Sequence, residues 1–133
     1  MYSDEIGSLA VAIDTSGSIS QAELDQMASE PQDILSVFDV TLKIIYHDSK
    51  VAGTEEWSST DGPIELTPVG GGGTSHVPVF DHIAEGDPPT ALICFTDAYS
   101  RFPDDPPDYP VMWAVIHNDE PAIPWGDVIN VDM

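Results

Sequence analysis

The chain has 133 residues, with 24 acids against three Lys or Arg, a formal net charge of −21 and an apolar share of 41%. That length suits one domain spanning residues 1–133, and the apolar share suffices for a packed core. The charge argues against nucleic acid and anionic membrane surfaces as partners, because both are bound through clustered Lys and Arg.

In chain order, Leu9 to Ile13 is an apolar run without alternation, the pattern of a strand buried on both faces. It ends at Asp14 in a Ser/Gly turn. Ser20-Gln21-Ala22-Glu23 has capping-box spacing, and Leu24, Met27, Leu35 and Phe38 give an apolar helical stripe that Pro31 kinks or restarts, with Ser29 as a new N-cap. Val40 to Tyr46 is a second strand. His47-Asp48-Ser49-Lys50 reads as a turn, and Val51 to Trp57 as an antiparallel edge strand. Ser58 to Val69 is loop, and Gly70 to Gly73 lead into Thr74-Ser75. Val77, Phe80, Ile83 and Ala84 mark a short helix that Pro88-Pro89 ends. Thr90 to Thr96 is a strand ending at Asp97, Val111 to His117 another, and Asp127 to Val131 a last short one.

Strands alternating with helices imply an α/β fold: a Rossmann-like, mostly parallel sheet with one antiparallel edge strand and helices on its faces. The connections after Asp97 and His117 carry no convincing helix. Helix coverage is therefore expected to be reduced, with one face covered by loops or by a partner.

Functional groups in such sheets gather beyond the carboxyl ends of the strands. Three segments end there together: Asp14-Thr15-Ser16-Gly17-Ser18, Gly73-Thr74 and Thr96-Asp97. They offer two carboxylates and several hydroxyls, all hard oxygen donors. Mg²⁺ or Mn²⁺ suits such a set, and Ca²⁺ suits it less well. Asp14, Ser16 and Ser18 alternate along an extended turn, so their side chains can face one side. Two carboxylates balance one divalent ion and hydroxyls add no further charge. Mg²⁺ also keeps water-filled positions that a partner's carboxylate can take.

The ordered set Asp14, Ser16, Ser18, Thr74 and Asp97 resembles the metal-ion-dependent adhesion site of von Willebrand factor A (VWA) domains. The likeness spans nearly the whole chain. It is closest to the VWA-like domain at the C-terminal end of metallopeptidase-type proteins of bacteria and phages. Gly71-Gly72-Gly73-Thr74, Phe95-Thr96-Asp97-Ala98-Tyr99 and Tyr109-Pro110-Val111-Met112-Trp113 support it. The resemblance implies that Ser16, Ser18 and Thr74 ligate the ion through hydroxyls, and Asp14 and Asp97 directly or through water. It implies a protein-binding module that captures an acidic residue of a partner, with an AAA+ ATPase as one such partner. Members often carry an acidic residue after the Thr, where this chain has Ser75-His76. No HExxH occurs, so the chain is not expected to be an enzyme; any peptidase activity would reside in a separate N-terminal region.

Asp14 at a strand end could instead be the nucleophile of a Mg²⁺-dependent phosphotransfer enzyme resembling haloacid dehalogenases. Those carry a second Asp where this chain has Ser16, and Lys43 and Lys50 are not in the expected place. Gly70 to Gly73 lack the Lys of a P-loop. His47, His76 and His117 read as solvated or hydrogen-bonded loop histidines near the carboxyl edge. Cys94 reads as a small buried hydrophobe, and Trp57, Trp113 and Trp125 as packing residues. Asp104 to Asp108 reads as a solvated loop. No segment has the length of a membrane-spanning helix, and Met1 to Glu5 lack a signal peptide's basic start, so a cytoplasmic location is expected. The acidity also suits a salt-rich source, where self-repulsion is screened.

Overall fold

Each apolar run becomes a strand. In the computed structural model, which describes residues 7–15, 22, 25–27, 29, 40–48, 50–58, 75–86, 89–98, 101–116 and 121–130, these are β1 (Gly7–Asp14), β2 (Val40–His47), β3 (Val51–Trp57), β4 (Ala91–Thr96), β5 (Val111–Val115) and β6 (Asp127–Asn130). One helix, α1 (Val77–Ala84), falls where the apolar spacing places it. Pro78 sits in its first turn, where a missing N–H costs nothing. Ala22, Asp25, Gln26, Met27 and Ser29 are also helical, as the apolar stripe requires. The expected capping box and the kink at Pro31 lie outside the described residues.

The strands form one sheet in the order β3-β2-β1-β4-β5-β6. Every pairing is parallel except β2 with β3, so the antiparallel edge strand is where its alternating pattern puts it. The chain builds outward from β1 to β2 and β3, then returns to the other side of β1 with β4. The order therefore reverses between β1 and β4, which makes that crevice the switch point of the sheet.

Right-handed crossovers put the connections of the two halves on opposite faces. Met27 is buried on one face with Leu9, Val11, Ile13, Leu42, Ile44, Tyr46 and Phe95. Val79 and Ile83 of α1 are buried on the other, with Ala10, Ala12, Ile45, Leu92, Cys94, Trp113 and Val115. The small Ala10 and Ala12 let α1 approach the sheet closely.

Beyond α1 on that second face, loops take over. Among the described residues, neither the β4–β5 nor the β5–β6 connection contains a helix. Phe102, Tyr109, Ile123 and Trp125 pack there instead. Trp113 anchors them: its ring lies 5.1 Å from Phe102 and 5.5 Å from Trp125, centroid to centroid. Large aromatic rings supply the buried area that a helix would otherwise contribute. Their N–H groups are satisfied by the same loops. Trp113 Nε1 donates to the Trp125 carbonyl at 2.9 Å, and Trp125 Nε1 to the Pro103 carbonyl at 2.8 Å. The reduced helix coverage expected from the sequence thus has a physical replacement. Asp104, Asp105 and Asp108 of the first loop are exposed, as expected. Among the described residues, no helix is long and apolar enough to cross a membrane.

Candidate metal centre

The register of β1 fixes which chemistry reaches the switch point. The β1–β4 ladder ends at Ile13↔Phe95, so Asp14 and Thr96 are the next residues on each strand. Asp14 is also paired with His47 at the end of β2. Side chains alternate along a strand, which places Asp14, His47 and Thr96 on the same face as Ala12, Ile45 and Cys94, the face α1 covers.

Asp14 is buried at 6% exposure. Its Oδ2 accepts a hydrogen bond from the Thr96 hydroxyl at 2.8 Å. The same Thr96 oxygen accepts the Ala98 N–H at 3.0 Å. Between them sits Asp97, half-buried, on a turn whose next residue, Ala98, has φ of +66°. That left-handed backbone is costly for a residue with a Cβ, and the Thr96 side chain holds it.

Thr15 locks the start of the loop after β1. Its N–H and its hydroxyl both donate to the His47 carbonyl, at 2.8 and 2.9 Å. On the other side, the Ser75 N–H donates to the Asp48 carbonyl at 2.9 Å and the His76 N–H to the Arg101 carbonyl at 2.8 Å. Residues 75 and 76 thereby tie the β2–β3 turn to the loop following β4. The turn closes itself: the Lys50 N–H donates to Asp48 Oδ1 at 3.1 Å.

Of the five expected ligands, Asp14 and Asp97 are placed at the ends of the two adjacent strands that frame the switch point. Ser16, Ser18 and Thr74 lie outside the described residues, as do Gly70 to Gly73 and His117. Among the described residues no three His, Cys, Asp or Glu side chains gather as a ligand set. The expected centre does not ask for one, since three of its five donors are hydroxyls. Asp14, buried and bonded to Thr96, and Asp97, half-buried on the turn that follows β4, are both carboxylates, the hard oxygen donors that divalent cations such as Mg²⁺ take.

His47 and His76 correct the solvated half of the expectation, while His47 keeps the hydrogen-bonded half. His47 and His76 are both fully buried. Their rings meet edge to face at 4.7 Å, and His76 stacks on Phe102 at 5.1 Å. His47 belongs to β2 and His76 is the N-cap of α1. His47 Nδ1 lies 3.4 Å from the Asp48 carbonyl oxygen. Burial holds both imidazoles below their ordinary value; the neighbouring His47 presses His76 further down, and the Asp14 charge opposes the shift in each. Both rings are therefore neutral at pH 7.

Cys94 is buried as a small hydrophobe, and burial pushes its thiol far above the ordinary range, next to the Asp14 charge. Burial and the raised pKa both favour the neutral thiol over the thiolate. Sequence reasoning gathers Thr96 with Asp97 at the carboxyl edge but assigns it no role of its own. Its register signal was available, since Thr96 is in phase with Leu92 and Cys94 and adjoins the strand carrying Asp14.

A six-stranded, mostly parallel sheet whose strand order reverses between β1 and β4 is consistent with a VWA-like α/β domain. The chain belongs to the family described as VWA-like domain (DUF2201), which matches residues 9–132. It is also similar to a protein of Thermotoga maritima described as uncharacterized, at 30% identity over 95 residues. That match covers 71% of this chain and 24% of the relative, so the chain spans about a quarter of the relative's length. No solved structure matches the chain.

Proposed function

We propose that this chain is a metal-dependent protein-binding module. Asp14 and Asp97, with the hydroxyls of Ser16, Ser18 and Thr74, would hold one Mg²⁺ or Mn²⁺ at the carboxyl edge of the sheet. The bound ion supplies an electrophilic position that a carboxylate of a partner protein fills. The observation that carries this reading is the placement of Asp14: buried, oriented by Thr96, and sited where the strand order reverses between β1 and β4.

The surroundings set what the partner must be. A chain of net charge −21 repels an acidic surface, so the captured carboxylate should stand within a neutral or basic one. An AAA+ ATPase is one candidate, in a cytoplasmic setting. The test uses a synthetic peptide with a single Glu in a Lys-rich sequence, and the same peptide with Gln in its place. Calorimetry should show Mg²⁺-dependent binding of the Glu peptide, lost with a chelator and in Asp14→Ala. Equal binding of both peptides would leave only bulk charge attraction and reject the reading.

Phosphotransfer by Asp14 fares less well. It needs a cation beside the transferred group. Lys43 pairs in register with Ala10, four residues before Asp14, and lines a cavity of about 280 Å³ beside the C-terminal end of α1. Mg²⁺-dependent phosphatase turnover that Asp14→Asn abolishes would reverse this ranking.

A further inference from the structure

The last backbone-paired residues between β1 and β4 are Ile13 and Phe95. One step further along, the two strands are joined by a side-chain bond, Thr96 hydroxyl to Asp14 Oδ2. Thr96 is 1% exposed and sits at the end of an interior strand, so no solvent competes for its hydroxyl.

A hydroxyl has one proton and can accept as well as donate. Here its two roles are divided. The Ala98 N–H occupies the oxygen as acceptor, and the proton is directed to Asp14. The resulting chain, Ala98 N–H to Thr96 Oγ1–H to Asp14 Oδ2, has one direction and runs past Asp97 without using it. It joins the Asp14 carboxylate on β1 to the turn after β4 that carries Asp97. Rotation of the Asp14 carboxyl breaks one end of this chain, and relaxation of the left-handed turn at Ala98 breaks the other.

We infer that Thr96 is a positioning residue of the metal centre, whose hydroxyl sets the orientation of Asp14 and couples it to the turn presenting Asp97. This rests on the metal-centre reading above. Thr96 does not ligate the ion. It holds a ligand from behind, and partners of that kind typically account for about ten- to a hundredfold of metal affinity.

The experiment measures Mn²⁺ affinity by calorimetry, and metal-free thermal stability in chelator, for the wild type, Thr96→Val and Thr96→Ser. Valine keeps the shape and removes both hydrogen bonds, whereas serine keeps both. Thr96→Val should bind Mn²⁺ at least about tenfold more weakly than the wild type, and Thr96→Ser within about threefold. A Thr96→Val protein that folds and binds like the wild type overturns the inference and leaves the metal centre standing. If the valine variant does not fold, the serine variant decides: a tenfold loss there means that shape rather than the hydroxyl matters, and overturns it too. Absence of Mn²⁺ binding by the wild type overturns the metal-centre reading and this inference with it.

Discussion

His47 and His76 face each other edge to face at 4.7 Å in the interior, one at the end of β2 and the other capping α1. Both are held neutral by burial. In the unfolded chain each titrates near 6.5, so as pH falls through that value the unfolded state takes up protons that the folded state refuses. Stability rises with pH wherever the unfolded state binds more protons. The contribution of these neutral rings is therefore complete above pH 6.5 and is lost progressively below it. The slope approaches about 1.4 kcal/mol per pH unit for each imidazole. Titration of acids works the other way here, since it relieves repulsion in a chain of net charge −21. The comparison that isolates the histidines is wild type against His76→Phe in urea unfolding with chelator, between about pH 7 and 5. The variant's stability should fall less steeply; parallel curves would contradict the assignment.

Gly126 has φ of +90°, and a Cβ added there would come within 2.6 Å of Trp113 Nε1. That nitrogen donates to the Trp125 carbonyl, so the intruding methyl strikes the junction that fastens both helix-replacing loops to the sheet. Gly126→Ala should lose about 1–3 kcal/mol through overpacking, in addition to the cost of a left-handed alanine. Urea unfolding measures the loss, and near-UV circular dichroism should show altered tryptophan packing. An unchanged midpoint would mean that the loops do not depend on this contact.

Ala98 offers the opposite case. Its φ of +66° is strained for alanine and natural for glycine. Ala98→Gly keeps the N–H that Thr96 accepts. Relief of strain exceeds the extra chain entropy of glycine, and the variant should gain about 0.5–1 kcal/mol in metal-free urea unfolding. Destabilisation would show that the methyl, which is buried against the α1 face of the core, contributes more than the strain costs.

Much of this architecture was legible in the chain. β2, β3 and β4 are read to within a residue because burial on both faces, or clean alternation on an edge, leaves a local pattern. Asp14 and Asp97 stand out because each ends such a run. The burial of His47 and His76 is illegible for a different reason. Nothing near His76 in sequence announces that Phe102 and Trp113 will close over it, since those rings arrive from loops and strands much later in the chain. His47 carried a weak signal, being in phase with Ile45 on the interior side of β2. Likewise, the loops that replace two helices are held by indole hydrogen bonds across 12 and 22 residues, which no local propensity encodes.

The charge balance predicts a dependence on salt. With 24 acids and three Lys or Arg, self-repulsion disfavours the compact state more than the expanded one. Screening shortens from about 10 Å at 0.1 M to about 3 Å at 1 M salt. Raising NaCl over that range should raise the melting midpoint by several degrees, with KCl equivalent. A flat or falling midpoint would show that the acids are spaced widely enough not to repel.

Asp14 makes the last prediction a matter of linkage. A buried carboxylate is costly to desolvate, and a divalent cation bound beside it in the folded state offsets that cost. An ion that binds only the folded chain stabilises it by mass action, about 2.7 kcal/mol at a hundred times its Kd. Millimolar Mg²⁺ or Mn²⁺ should therefore raise the melting midpoint, beyond what an equal ionic strength of NaCl achieves. Asp14→Ala and Thr74→Ala should each abolish most of the excess. The NaCl control matters because general screening also stabilises so acidic a chain, and Asp14→Ala removes one charge of many while leaving that screening intact. If the variants and the wild type respond alike, the divalent effect is diffuse, and the carboxyl edge of β1 and β4 holds no specific ion.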